Sequence, residues 1–252
     1  MIRIGPAGTG GEAISGIQKI HELGLTAVEI EFTYGVRMTI ATAKEVGNYI
    51  KKFNLAASIH APYYINLASE EKHKIEASKK RILDSCERGH YLNATYIVFH
   101  SGYYGKKSPQ ETYDLVKEAI VEMQKEIKKK QWDTILAPET TGKATQFGSV
   151  DELLKLKKET GCHLCVDFAH LLARDGKIDY DDVFKKLKGL KEIHAHFSGI
   201  EYGPKGEKRH LITQEKDIKL LLHYIKKYNI NITIINESPD PFGDSVKTLK
   251  LL

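Results

Sequence analysis

Apolar and polar positions change their period at short intervals along the whole chain. Compact runs rich in Val, Ile, Phe and Tyr cover 2–4, 27–32, 56–60, 96–100, 134–138, 163–167, 192–197 and 231–236. These runs are too short for helices and read as buried strands. Between them apolar residues recur at helical spacing, over about 12–23, 39–53, 70–92, from 108 onward, from 149 onward, 180–187, 214–228 and 244–252. Local signals place some of the starts. Ser108-Pro109 reads as an N-cap followed by proline at the first helical position. Ser149 and Glu152 have the spacing of a capping box. The polar stretch 198–213 reads as a long loop.

Eight strand-then-helix units without a low-complexity linker predict an α/β fold, a single (β/α)8 TIM barrel spanning 1–252 as one domain. An open doubly wound sheet is the alternative. The residues that end the apolar runs favour the barrel: His60, His100, Glu139, Asp167 with His170 three positions on, His196 and Glu237. Only a closed barrel gathers six strand ends on one C-terminal rim, where such barrels carry their sites. Side chains at i and i+2 share a strand face, which pairs Ser58 with His60, Ala137 with Glu139, Cys165 with Asp167 and His194 with His196. His194 then reads as an interior histidine.

Any one of these residues alone would be ordinary hydrogen-bonded filler. Six ionisable groups at corresponding positions need mutual charge compensation, and a metal cluster supplies it. Imidazole and carboxylate together suit zinc, and also manganese or iron. His21, His73, His90 and His223 fall within predicted helices and His163 opens a strand, so they are set aside.

Composition adds boundaries. The chain is 41% hydrophobic and 28% charged, with no run of membrane-span length and no signal-like start, so a cytoplasmic protein without a membrane partner is expected. Three cysteines suggest no disulfide framework. The net charge of +5 fits an anionic partner such as nucleic acid without requiring one.

At these residues the chain resembles the endonuclease IV family of abasic-site nucleases, over essentially its whole length. The motifs that carry the resemblance are HAPYYINL at His60, VFHSG at His100, Glu139 with its Gly-containing loop, CVDFAH at Asp167 and His170, HFSG at His196, Arg209-His210, and Glu237. The resemblance implies a zinc cluster. Its first metal takes His60, His100 and Glu139. Its second shares Glu139 and adds Asp167, His196 and Glu237. Its third takes His170, His210 and an aspartate two residues earlier, where this sequence has Lys208. A protonated lysine cannot ligate. The third position therefore relies on water, on Glu207 or on Glu201, or is replaced by the charge of Lys208. The family's Asn-Asp after the seventh-strand histidine is Ser198-Gly199 here.

The implied activity is metal-dependent hydrolysis of the phosphodiester 5′ to an abasic site in duplex DNA, leaving a 3′-hydroxyl and a 5′-deoxyribose phosphate, a step of base excision repair. Glu139 would hold the metal pair and Lys208 would neutralise leaving-group charge. Arg37, Tyr63 and Tyr64 stand where the family inserts side chains into the duplex, and an arginine with an aromatic wedge suits a kinked duplex with a flipped abasic sugar. Lys143, Lys205 and Arg209 lie on rim loops that would meet phosphates, and the protein is expected to act as a monomer. Two rivals remain. A single-metal sugar isomerase or epimerase of the same barrel superfamily would need only Glu139, Asp167, His196 and Glu237. A damage-binding protein would keep the wedge without the reaction.

Overall fold

The structure is a computed structural model that describes residues 1–252. Parallel strands form two arcs. One runs β2 (Ala27–Glu31), β3 (Ala56–His60), β4 (Tyr96–Phe99), β5 (Ile135–Pro138); the other runs β6 (Cys165–Asp167), β7 (Ile193–Phe197), β10 (Ile232–Asn236), β1 (Ile2–Pro6). Single parallel bridges, Ala7 to Glu29 and Glu139 to Cys165, join the arcs into a closed eight-stranded barrel. Helices α1 (Ala13–Glu22), α2 (Ile40–Lys52), α3 (Lys72–Leu92), α4 (Pro109–Lys130), α5 (Val150–Thr160), α7 (Tyr180–Leu187), α8 (Glu215–Tyr228) and α9 (Pro241–Lys250) surround it. Their apolar faces pack on the outer face of the strands and bury residues such as Ile17, Ile82, Ile120, Leu153, Phe184 and Leu221. No helix is long and apolar enough to cross a membrane.

The caps explain where two of the helices start. Ser108 and Ser149 each accept from the backbone N–H three residues on, while Glu111 and Glu152 reach back to the cap N–H, so orphan donors are satisfied in both directions.

Two segments differ from the sequence reading. The stretch 198–213 is no open loop. It forms an antiparallel hairpin, β8 (Gly199–Gly203) and β9 (Gly206–Leu211), with an irregularity at Glu201/Tyr202. Its turn docks on the loop after β5, where Glu207 N–H donates to the Gly142 carbonyl at 3.0 Å. Gly206 permits this approach. It has φ +90°, and a Cβ there would lie 2.3 Å from the Gly142 oxygen. The second difference is α6 (Phe168–Asp175), which begins directly at the end of β6. Asp167 is its N-cap and accepts from His170 N–H at 2.9 Å.

Candidate metal centre

The loop that follows β5 holds the centre of the rim. Glu139 is fully buried, and four imidazoles converge on its two oxygens. His60 Nε2 lies 3.2 Å and His100 Nε2 3.0 Å from Oε2. His170 Nδ1 lies 3.1 Å and His196 Nδ1 3.2 Å from Oε1. The carboxylate thus spans two halves of the site, one on β3 and β4, the other on β6, α6 and β7. Glu237, at the end of β10, joins the second half, with Oε1 3.2 Å from His196 Nδ1. Asp167 holds its place because its backbone N–H donates to Thr140 Oγ1 at 2.8 Å. The cap it makes for α6 lifts His170 one turn above the strand end, where His170 Nδ1 also meets the Thr140 carbonyl at 2.9 Å.

The structure brings together five groups of donor atoms, three of them on the rim: His60, His100 and Glu139; Glu139, Asp167, His196 and Glu237; and Asp167, His170 and His210; the other two are Cys165, His194 and His196, and Glu29, Glu31 and Glu237. The three rim sets are mixed nitrogen and carboxylate sets of the kind divalent cations prefer. Asp167 Oδ2 is buried, lies 3.1 Å from His170 Nδ1 and accepts no hydrogen bond, which leaves acceptor capacity facing the second and third sets. The residues fit bound metal.

Electrostatics supports the same assembly. Burial disfavours the Glu139 carboxylate, yet His100 and His196 outweigh it and hold the group well below the usual carboxylate range. Burial likewise works against the His60 imidazolium, but Glu139 and Glu31 push its pKa up to about 10. His170 and His196 are also raised against burial, the first by Asp167 and Glu139, the second by Cys165, Glu237, Glu29 and Glu139. Burial is the largest influence on Asp167 and raises it.

Lys208 does not lie among these donors. Its ammonium sits 3.2 Å from Glu201, on the exposed side of the hairpin, and Arg209 Nε takes the other Glu201 oxygen at 2.8 Å. Lys208, expected to neutralise leaving-group charge, is turned outward by β9 and pairs with Glu201 rather than with the donor sets. The same pairing removes Glu201 from the third set. Glu207 points the other way, with Oε2 3.4 Å from His170 Nε2. Gly142 makes room for it, since a Cβ at 142 would lie 2.8 Å from Glu207 Oε2. His210 is fixed by Ser198 Oγ at 2.6 Å from its Nδ1, which leaves Nε2 for the site.

The remaining rim residues flank this cluster. Tyr63 is half-exposed, with its ring centroid 5.4 Å from that of His60, and Tyr64 is exposed beside it. Arg37 and the exposed Tyr34 line a cavity of about 490 Å³ with the Gly8–Gly11 loop. Lys143, Lys205 and Lys208 line a groove of about 840 Å³ with Arg174 and Glu207. Arg209 is exposed on β9, paired with Glu201.

Arg174, not singled out in the sequence, clamps the Glu139 loop. One of its nitrogens meets Thr141 Oγ1 at 3.0 Å and the Lys143 and Gln146 carbonyls at 2.8 and 2.9 Å. Replacing Arg174 with Ala is expected to cost roughly 2–3 kcal/mol, because charged hydrogen bonds to carbonyls are lost together, and urea unfolding would measure it.

Sequence reasoning placed the second strand but passed over its two acids. Its run AVEIEF places Glu29 and Glu31 two apart, on one face of a strand otherwise apolar, and that spacing was the available signal. Glu29 is fully buried; Glu31 is half-buried at the rim, in register with His60. Burial, with Glu29 and Glu237 nearby, pushes Glu31 up to about 8 despite His60.

Comparison with known proteins agrees with this fold. Residues 17–252 match the family model described as xylose isomerase-like TIM barrel. An uncharacterized protein of Methanocaldococcus jannaschii is 37% identical over 96% of this chain and 95% of its own length. A protein of Mycoplasmopsis synoviae named Probable endonuclease 4 is 29% identical over 72% of this chain and 68% of its own. Among solved structures, endonuclease IV from Thermus thermophilus superposes with a TM-score of 0.75 at 22% identity, covering 99% of this chain and 97% of that one. The 3-keto-D-glucoside 4-epimerase of Escherichia coli superposes with a TM-score of 0.73 at 14% identity, covering 99% and 98%. At these identities the two structures establish a shared fold, while the family model and the M. jannaschii relative together establish that the chain belongs to the xylose isomerase-like TIM barrel family.

Proposed function

We propose that this protein is a metal-dependent endonuclease that hydrolyses the phosphodiester 5′ to abasic sites in duplex DNA. The observation that carries the reading is the pair His60 and His100 on Glu139 Oε2, opposite a second donor set on Oε1. A single-metal sugar isomerase has no use for this pair. His60, His100 and Glu139 would hold one divalent cation and Glu139, Asp167, His196 and Glu237 a second, and zinc bound there would supply Lewis acidity and an activated water at neutral pH for displacement at phosphorus. The endonuclease 4 relatives support the same class.

In this reading the chain's residues divide the work. Glu139 fixes the spacing of the two donor sets from a single loop position. Asp167, His170 and His210, with Glu207 in the place left by Lys208, form the third set. Tyr63 and Tyr64 stand exposed at the edge of the cluster, where an unstacked duplex would meet them, and Arg37 lies across the rim. The groove lined by Lys143, Lys205 and Lys208 receives backbone phosphates, with Arg209 beside it.

Incision of a duplex carrying one stable abasic analogue, with and without prior chelation, tests the activity. Cleavage on the 5′ side that chelation abolishes supports it. A folded, metal-loaded protein that leaves the duplex intact and acts on ketoses refutes it in favour of the sugar isomerase. A folded, metal-loaded protein that binds the abasic duplex without cutting it refutes it in favour of a damage-binding protein. The two hairpin residues should separate. Glu207→Ala is expected to weaken retention of one metal by about tenfold or more. Lys208→Ala should leave metal content unchanged and lower the salt slope of duplex binding by about 0.9. Metal analysis and binding titrations at several salt concentrations read both.

A further inference from the structure

Beneath the metal donors, the barrel interior holds a second polar layer that the reaction does not explain. Its centre is Glu29 on β2, a strand that contributes no donor to the three rim sets described above. The side chain is fully buried; Oε2 is hydrogen-bonded, while Oε1 makes a close charge contact that falls outside hydrogen-bond geometry. Oε2 accepts from Ser58 Oγ at 2.6 Å and lies 3.0 Å from His194 Nε2. Oε1 lies 2.8 Å from His196 Nε2. Ser58 is the cross-strand partner of Glu29 in the β2–β3 register, so the serine is fixed by the sheet itself. His194 reaches Glu29 from β7, three strands round the barrel, and at 1% exposure it has no access to solvent.

His196 stands between this layer and the rim. Its Nε2 faces down to Glu29, while its Nδ1 faces up, 3.2 Å from both Glu139 and Glu237. An imidazole can ligate only through a nitrogen without a proton. A carboxylate 2.8 Å from Nε2 favours the proton there and leaves the Nδ1 lone pair for the rim. It also makes the ring a stronger donor and fixes its plane. Without such a partner the ring could keep its proton on Nδ1 and donate it to Glu139 or Glu237, which would remove it from the metal. Ser58 and His194 hold Glu29 itself in place, so the aim of His196 is set by side chains from three strands.

We propose that Glu29 is a positioning residue for the metal held by Glu139, Asp167, His196 and Glu237, acting by fixing the tautomer and plane of His196. The inference rests on the metal-holding part of the reading above and is the same whether the substrate is DNA or a sugar. It separates two contributions of one side chain. The isosteric Glu29→Gln keeps an oxygen that can accept from His196 Nε2 but removes the charge. Glu29→Ala removes both.

The test is cobalt binding to the whole chain, followed by visible absorption and by competition with a chelator of known affinity. In the wild-type protein, a step that depends on Asp167, verified with Asp167→Ala, marks the metal in question. Glu29→Gln is expected to weaken that step about tenfold and Glu29→Ala about 100-fold, with shifted d–d bands. The step set by His60 and His100 should stay within about threefold. Where the Ala variant does not fold, the Gln variant alone decides. Unchanged affinity and bands in the Gln variant, with wild-type steps present, would overturn the role of Glu29 and leave the metal reading standing. Equal loss at every step, with a lower melting temperature of the metal-free protein, would also overturn it, because Glu29 would then act on the barrel as a whole. A wild-type chain that takes up no cobalt would overturn the metal reading and this inference together.

Discussion

Replacing Glu139 with Gln is expected to abolish incision, with a loss of at least about a thousandfold, and to remove more than one metal equivalent. The size of the effect follows from the geometry. One carboxylate serves as counter-charge to His60, His100, His170 and His196, all within 3.0–3.2 Å of its oxygens. It belongs to two donor sets at once, so its loss is felt at both. The amide keeps the volume, so the barrel should remain folded, and circular dichroism with metal analysis would separate loss of metal from loss of structure. Full activity in Glu139→Gln would remove the shared-carboxylate arrangement from the mechanism.

Metal uptake at pH 7 should release at least about one proton, and affinity should rise by about tenfold or more per pH unit around neutrality. The cause is the state of the histidines before metal arrives. Against its burial, the pKa of His60 is pushed up to about 10 by Glu139 and Glu31, so it carries a proton at pH 7, and the neighbouring carboxylates raise His170 and His196 in the same direction. A protonated imidazole must give its proton up to ligate. Titration calorimetry in buffers of different ionisation enthalpy counts those protons; a count near zero would refute the protonated resting state. The same shifts set the stability of the metal-free protein. A raised histidine stabilises the fold fully below its unfolded value of about 6.5. For His60 that contribution is lost as pH rises through about 10. Glu237 is depressed to about 2, because His196 outweighs its burial. Its contribution is present above the unfolded value of about 4.3 and lost as pH falls through about 2. Chelated protein should therefore melt lower at pH 9 than at pH 6, while metal-loaded protein should not follow that trend.

These expectations depend on contacts that differ in how far the sequence could disclose them. The alternation of apolar runs with helical spacing was enough to define the barrel, because strand and helix periods are local properties of a few neighbouring residues. The strand-end positions of His60, His100, Glu139, Asp167, His196 and Glu237 were legible for the same reason. A β-strand points alternate residues to one side, and its last residue falls on the rim. The capping boxes at Ser108 and Ser149 were equally local.

What depended on distant pairing was not legible. The polar composition of 198–213 resembles a loop, yet it pairs as a hairpin whose turn is seated against Gly142 at Gly206. That docking decides that Glu207 faces His170 while Lys208 turns to Glu201, a choice invisible in the order Glu-Lys-Arg-His. Asp167 and His170 were read as donors, but the α6 cap that spaces them is a property of the chain turning at the strand end. Glu29 is the clearest case. In sequence it is one acid in a short strand. Closure of the barrel brings it against Ser58, His194 and His196 and makes it the base of the site. Sequence determined which side chains reach the rim, because that follows from local period. Tertiary structure decided which of them face one another, because only barrel closure brings together side chains far apart in the chain.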